Sequence, residues 1–340
     1  MTDSPRFTRV LVTGTAGFIG SHLSEALNAE GTEVIGVDCF TDYYPRALKE
    51  ANLRRLSADR QFTLVEGDLT DLRLEPLMRN VDAVFQLAAQ AGVRASWGDD
   101  FDLYVHHNVH GTQHVLEAAR HRGVRVVYSS SSSIYGDAES FPTLESATPA
   151  PVSPYGATKL AGEHLCRIYS REMGVPTVSL RYFTVFGPRQ RPDMAFTRFL
   201  RAACLGEPIE LYGDGTQSRN FTYVADAVEA NLRAAGFGTP GAVYNVGGGA
   251  QVSVNEVLEM LEDLTGAPIM VNRRERQPGD ARHTGADGTL AERELVFRAS
   301  TSLREGLGHQ LAWVQASLDG RLSPAPHMRD AHREPTSTAA

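Results

Sequence analysis

Residues 153–162 read SPYGATKLAG and hold the side chains best suited to moving a proton. Ser153 followed by Pro154 has the form of a helix N-cap and first helical residue. Tyr155 then lies on the first turn and Lys159 one turn later on the same face. A free phenol, with a pKa near 10, is a poor base at neutral pH. An ammonium four residues away favours the phenolate, so the pair reads as a general base and its activator. Counting strengthens the reading, because Lys49 and Lys159 are the only lysines among 33 Lys+Arg residues. Upstream, RVVYSSSSSIYG at 125–136 sets five serines, 129–133, after an apolar run, where hydroxyls could share a proton with Tyr155.

A second signature lies at residues 10–23, VLVTGTAGFIGSHL: an apolar run, the triplet Gly14, Gly17 and Gly20 enclosing Phe18 and Ile19, then a helical pattern. Glycines permit a tight turn and let backbone N–H groups approach a pyrophosphate at a helix N-terminus. Asp38 ends the next apolar run 18 residues beyond Gly20. That placement suits a carboxylate accepting the adenosine ribose hydroxyls and repelling a 2′-phosphate, which favours NAD over NADP. Asp68 and Leu69 close the third run, where Asp68 either reaches the adenine or caps the following turn.

Positioning these groups requires a scaffold. Apolar runs at 9–13, 33–38, 62–66, 83–87, 125–130 and 176–181 alternate with helical stretches, the pattern of a doubly wound parallel α/β sheet of Rossmann type. Ligands bind such sheets at the carboxyl ends of the strands. After 181, proline and glycine break the chain into the shorter elements of a smaller lobe, while 223–235 reads as a helix and 242–246 as a strand returning to the sheet. The expected division is 1–180 plus about 223–255 for the NAD-binding domain, and 181–222 plus about 256–320 for a substrate lobe. Residues 321–340 lack apolar periodicity and read as a mobile tail.

With 340 residues, 42% hydrophobic and 22% charged, the chain has a globular composition with room for two units. A net charge of -8 argues against a nucleic-acid partner. No apolar run approaches the roughly 18 residues that would span a membrane. The start of the chain lacks the form of a signal peptide. Cys39, Cys166 and Cys204 show no CxxC spacing, so neither a disulfide framework nor a metal site is expected, and a cytoplasmic location fits.

Over roughly residues 8–310 the chain resembles the extended short-chain dehydrogenase/reductase superfamily. The resemblance rests on TGTAGFIG, QLAAQAGV at 86–93, Asn108 in NVHGT, SSSIYG and Tyr155-x-x-x-Lys159. It implies a bound NAD regenerated each cycle, a catalytic Ser131, Tyr155 and Lys159 triad, and a nucleotide-sugar substrate. It extends the cofactor contacts to Leu87, Ala88, Ala89, Asn108 and Tyr182. Within the superfamily, RYFTVFGPRQRPDMAF at 181–196 and LAAQAGVRASWG at 87–98 are similar to the UDP-glucuronate 4-epimerase branch.

Neutral-sugar epimerases usually carry Asn where this chain has Thr184. The 4,6-dehydratases carry an Asp-Glu pair at Ser132 and Ser133, and UDP-glucuronate decarboxylases carry Glu at Ser133. The resemblance therefore implies UDP-glucuronate as substrate, with UDP-glucose 4-epimerase or UDP-glucuronate decarboxylase as alternatives. Ser132, Ser133 and Thr184 would hold the carboxylate, Arg191 the sugar or diphosphate, and Arg219, Asp280 and Arg282 the nucleotide. A homodimer is also implied. A regulatory or scaffold protein that merely binds NAD would have no need of Tyr155 and Lys159.

Overall fold

The computed structural model describes residues 5–138, 140–275 and 282–320. Asp280 and the 321–340 segment lie outside the described residues. Six of the apolar runs form strands β1 (Arg9–Thr13), β2 (Glu33–Asp38), β3 (Phe62–Glu66), β4 (Ala83–Gln86), β5 (Arg125–Ser131) and β6 (Thr177–Tyr182). With Val243–Val246 they make a seven-stranded sheet in the order β3-β2-β1-β4-β5-β6 and then that last strand. All its pairings are parallel, so the chain has the expected Rossmann-type α/β fold. The strand order reverses between β1 and β4, which opens a crevice beyond their carboxyl ends.

The strands read as continuous apolar runs because both faces are covered. Val12, Phe85 and Val127 point to a core completed by the helices Phe18–Ala29 and Val224–Phe237. Their alternates Leu11, Val84 and Val126 point to a core completed by Gly111–Arg120 and Pro154–Met173. All six are fully buried, each contributing about 1.5–3 kcal/mol of transfer free energy.

Several strand ends shift by one residue from the expected limits, β5 running on to Ser131, β6 to Tyr182 and the last strand starting at Val243, and two of the shifts have a hydrogen-bonding reason. The Leu87 and Ala88 amides turn aside to donate to the Thr13 hydroxyl at 3.1 Å, ending β4 at Gln86. Pro176 has no N–H to give, and β6 begins at Thr177.

A separate core lies in the smaller lobe, where Phe186, Phe196, Leu200, Phe221, Val257 and Leu311 pack together. Phe186 meets Phe196 at 5.4 Å and Phe196 meets Phe221 at 4.7 Å between ring centroids. Part of the late chain goes elsewhere. Helix Thr289–Leu295 and Phe297 pack on the sheet's core, and the Asp226 carboxylate fixes that path by accepting the Ser300 and Thr301 amides at 3.0 and 3.2 Å.

Candidate active site

The turn from β1 into helix Phe18–Ala29 needs its glycines. Gly14 has φ +68°, and a Cβ there would lie 2.9 Å from the Ala88 nitrogen. A Cβ on Gly20 would lie 2.1 Å from the Gly14 carbonyl oxygen, so its absence lets the helix start sit directly on the turn. Asp38 closes the other side of this cradle, with its carboxylate accepting the Ala16 amide at 3.0 Å and the Phe40 amide at 2.8 Å. Burial pushes its pKa up, and those two amides with the nearby Lys49 ammonium oppose the shift. The cradle, a helix N-terminus lining the cleft and a strand-end carboxylate together fit a dinucleotide.

One cleft joins the two sequence signatures. Gly14, Gly17, Phe18, Ile19 and Gly20 line one wall, Asp38, Asp68 and Leu69 one end, and Leu87, Ala88 and Ala89 the floor, with Tyr155, Lys159, Tyr182 and Arg191 at the opposite end. Asp68 faces the cleft and also fixes its own turn, accepting the Thr70 amide at 2.9 Å. Asn108 is buried behind the floor. Its side chain accepts the Gln90 amide at 2.7 Å and donates to the Gln90 carbonyl at 3.0 Å and the Thr158 hydroxyl at 2.9 Å. It braces the loop after β4 against the helix that carries Tyr155.

That helix begins as its sequence indicates. Ser153 caps it, accepting the Gly156 amide at 3.1 Å, with Pro154 as its first residue. Tyr155 and Lys159 face the cleft, while Gly162, Glu163 and Cys166 face the sheet. Gly162 matters because its missing Cβ would fall 2.2 Å from the Tyr128 hydroxyl. Tyr128 then donates to the Lys159 carbonyl at 3.2 Å, and the Lys159 ammonium rests 4.9 Å from the centre of its ring.

Burial dominates both reactive groups, raising the Tyr155 pKa and lowering that of Lys159 to about 8. A hydrogen bond with Ser131 and the charge of Arg191 draw Tyr155 the other way. The charge drawing the phenol down is thus that of Arg191, not of the Lys159 ammonium that the four-residue spacing suggested, because burial disfavours the charged form of Lys159 itself. Arg191 is held by Asp193 through two hydrogen bonds of 2.9 Å and lies 5.5 Å from the Tyr43 ring centre. Tyr43 in turn donates to Asp193 at 3.4 Å, linking the loop after β2 to the start of the smaller lobe.

The serines divide by role. Ser129 meets the Tyr182 hydroxyl at 3.2 Å, and Ser130 donates to Glu163 at 2.8 Å, beside the buried Arg181–Glu163 ion pair. Ser131 caps the short turn Ser132–Ile134, accepting the Ser133 amide at 3.1 Å. Ser132 and Ser133 sit on that turn, and Thr184 follows β6, its carbonyl accepting the Thr222 amide at 3.1 Å. Arg219 and Arg282 come together on the smaller lobe, where the Arg219 guanidinium donates to the Arg282 carbonyl at 3.1 Å. Arg94 bridges the lobes by stacking 4.5 Å from the Tyr212 ring centre.

The NAD dependent epimerase/dehydratase family model matches residues 10–247, and the chain belongs to that family. Among individual relatives, it is 40% identical over 317 residues to the uncharacterized UDP-glucose epimerase YtcB of Bacillus subtilis (strain 168), covering 92% of this chain and 99% of the relative. It is 37% identical over 318 residues to a UDP-glucuronate 4-epimerase of Thermodesulfobacterium geofontis (strain OPF15), covering 91% and 97%. The crystal structure of a UDP-glucuronic acid 4-epimerase from Bacillus cereus, in complex with UDP-glucuronic acid and NAD, matches with a TM-score of 0.88 and 40% identity over 91% of this chain and 100% of the other.

Proposed function

We propose that the protein is an NAD-dependent isomerase that interconverts UDP-glucuronate and UDP-galacturonate through a transient 4-keto sugar. The observation that carries the reading is Tyr155 meeting Arg191 at the reactive end of a glycine-cradled cleft, with Ser131 hydrogen-bonded to its phenol. Tyr155 takes the proton of the sugar's C4 hydroxyl and returns it after the ketone has presented its other face. NAD, when bound, supplies the acceptor and donor for the C4 hydride. Ser131, its position set by the Ser133 amide, shares the travelling proton. Arg191 and Ser131 stabilise the phenolate against the burial that opposes it.

A C4 ketone beta to the C5 carboxylate can lose carbon dioxide. Ser132, Ser133 and Thr184 would orient that carboxylate so that its bond to C5 stays out of line with the carbonyl. Hydroxyls in the first two positions, in place of the family's acids and bases, support epimerisation over elimination or decarboxylation. The UDP moiety would extend towards Arg219 and Arg282 on the smaller lobe, with Asp280 assigned to the ribose by the resemblance.

The two buried cores support dividing the chain into an NAD-binding domain of 1–180 plus about 223–255 and a smaller substrate lobe, with helix Thr289–Leu295 added to the former. A homodimer would cover Leu103, Ile168 and Met173, which are exposed on neighbouring helical segments. Free Cys39, Cys166 and Cys204 are consistent with the proposed cytoplasmic location. Among the described residues, no helix is long and apolar enough to cross a membrane.

Incubation with UDP-glucuronate, followed by proton NMR, tests the function. Conversion to UDP-galacturonate is expected from the parent, and none from Tyr155→Phe with NAD still bound. Undiminished turnover by Tyr155→Phe overturns the assignment of the base.

A further inference from the structure

The adenosine end of the cleft carries a second chemistry. Cys39 follows β2, Asp68 follows β3, and His107 lies on the wide helical turn Val105–His110. The Cys39 sulfur, an Asp68 carboxylate oxygen and a His107 ring nitrogen all lie within 4.8 Å of one another. These three come from distant parts of the chain, so no CxxC-like spacing announces them.

Their geometry approaches that of a metal site. Bonds of about 2.0–2.3 Å to a tetrahedral zinc ion set its donors roughly 3.4–3.6 Å apart. The His107 Nδ1 lies 3.5 Å from the Asp68 Oδ2. The His106 Nε2 lies 3.2 Å from the same oxygen. Closing the sulfur to bonding distance takes a movement of roughly 1 Å.

The carboxylate is also oriented in advance. Asp68 Oδ1 accepts the Thr70 amide at 2.9 Å and the Thr70 hydroxyl at 2.8 Å, leaving Oδ2 for the two histidines. Outer hydrogen bonds of this kind aim a metal ligand. Thiolate, imidazole and carboxylate together suit zinc or cobalt over magnesium or calcium.

We propose that Cys39, Asp68 and His107 bind a zinc-like divalent cation, and that this ion and NAD exclude each other from the cleft. The cation forms bonds to sulfur, nitrogen and oxygen, and the Cys39 proton passes to solvent. Exclusion follows from position, since all three donors line the cofactor cleft beside Asp38. Only the exclusion rests on the reading that NAD occupies this cleft. The metal site itself does not.

The test adds cobalt(II) to the full chain freed of NAD and follows absorbance. One equivalent of cobalt should give a thiolate-to-cobalt charge-transfer band together with tetrahedral visible bands. Cys39→Ser should abolish the charge-transfer band, His107→Asn should weaken cobalt binding, and saturating NAD should remove both sets of bands. Absence of a thiolate band in the parent, its persistence in Cys39→Ser, or unchanged cobalt affinity in His107→Asn overturns the site. Cobalt bands that survive saturation by NAD, with NAD binding measured independently, overturn the exclusion alone.

Discussion

Gly20→Ala tests whether the first turn is built for a dinucleotide. The added Cβ would lie 2.1 Å from the Gly14 oxygen and 2.8 Å from the Gly14 carbonyl carbon, where ordinary contact is roughly 3.5 Å. Both atoms are backbone. Gly14 cannot yield easily, because its amide donates to the Val37 carbonyl at 2.7 Å and its flank abuts Ala88. Helix Phe18–Ala29 must therefore move away from the turn. Overpacking of this kind costs about 1–3 kcal/mol. At roughly 2–4 °C per kcal/mol, Tm falls by about 2–12 °C.

Displacing one amide from a pyrophosphate removes about 1.5–3 kcal/mol, roughly ten- to hundredfold in NAD affinity. Calorimetric titration with NAD and a thermal melt measure both effects. Gly308→Ala is the control, since it lies in helix Leu303–Leu318 with open space at its Cβ and should gain about 0.5–1 kcal/mol. Parental NAD affinity and Tm in Gly20→Ala would mean that the turn tolerates a Cβ and does not depend on this glycine.

Two further substitutions probe the buried charges. Lys159 is 4% exposed, and burial lowers its pKa in the folded protein to about 8 from the ordinary lysine value of 10.5, so the folded state disfavours the ammonium. The penalty is complete below about pH 8 and is relieved as pH rises towards 10.5, so this group makes stability increase with pH across that window. Lys159→Met should abolish turnover, stabilise the NAD-free protein at pH 7 by on the order of 3 kcal/mol and remove that rise, as read from denaturant melts at several pH values. Glu163→Gln leaves the buried Arg181 without its partner charge and should cost about 3–5 kcal/mol in the same assay.

The sheet was readable because each strand is buried on both faces and its apolar run is unbroken, while Gly14, Gly17, Gly20 and the Ser153-Pro154 cap fix their turns through local chemistry. Relations across the cleft had no such local signal. Arg191 acts on Tyr155 from 36 residues away, on a turn that passes through Arg189 at φ +65°. Neither periodicity nor spacing encodes that meeting, nor the contact of Tyr43 with Asp193. The resemblance implied Asn108 as a cofactor contact and not as a brace, because its partners Gln90 and Thr158 lie on separate elements. Helix Thr289–Leu295 is amphipathic whichever core receives it, and the Asp226 contacts to Ser300 and Thr301 accompany its return to the sheet.

Inversion at C4 by a hydride that leaves and returns, with the C5 carboxylate retained, leaves an isotopic record when UDP-glucuronate reacts in deuterium oxide. Proton NMR should then show UDP-galacturonate with protium at both C4 and C5. A UDP-pentose product, or deuterium at either carbon, would contradict it.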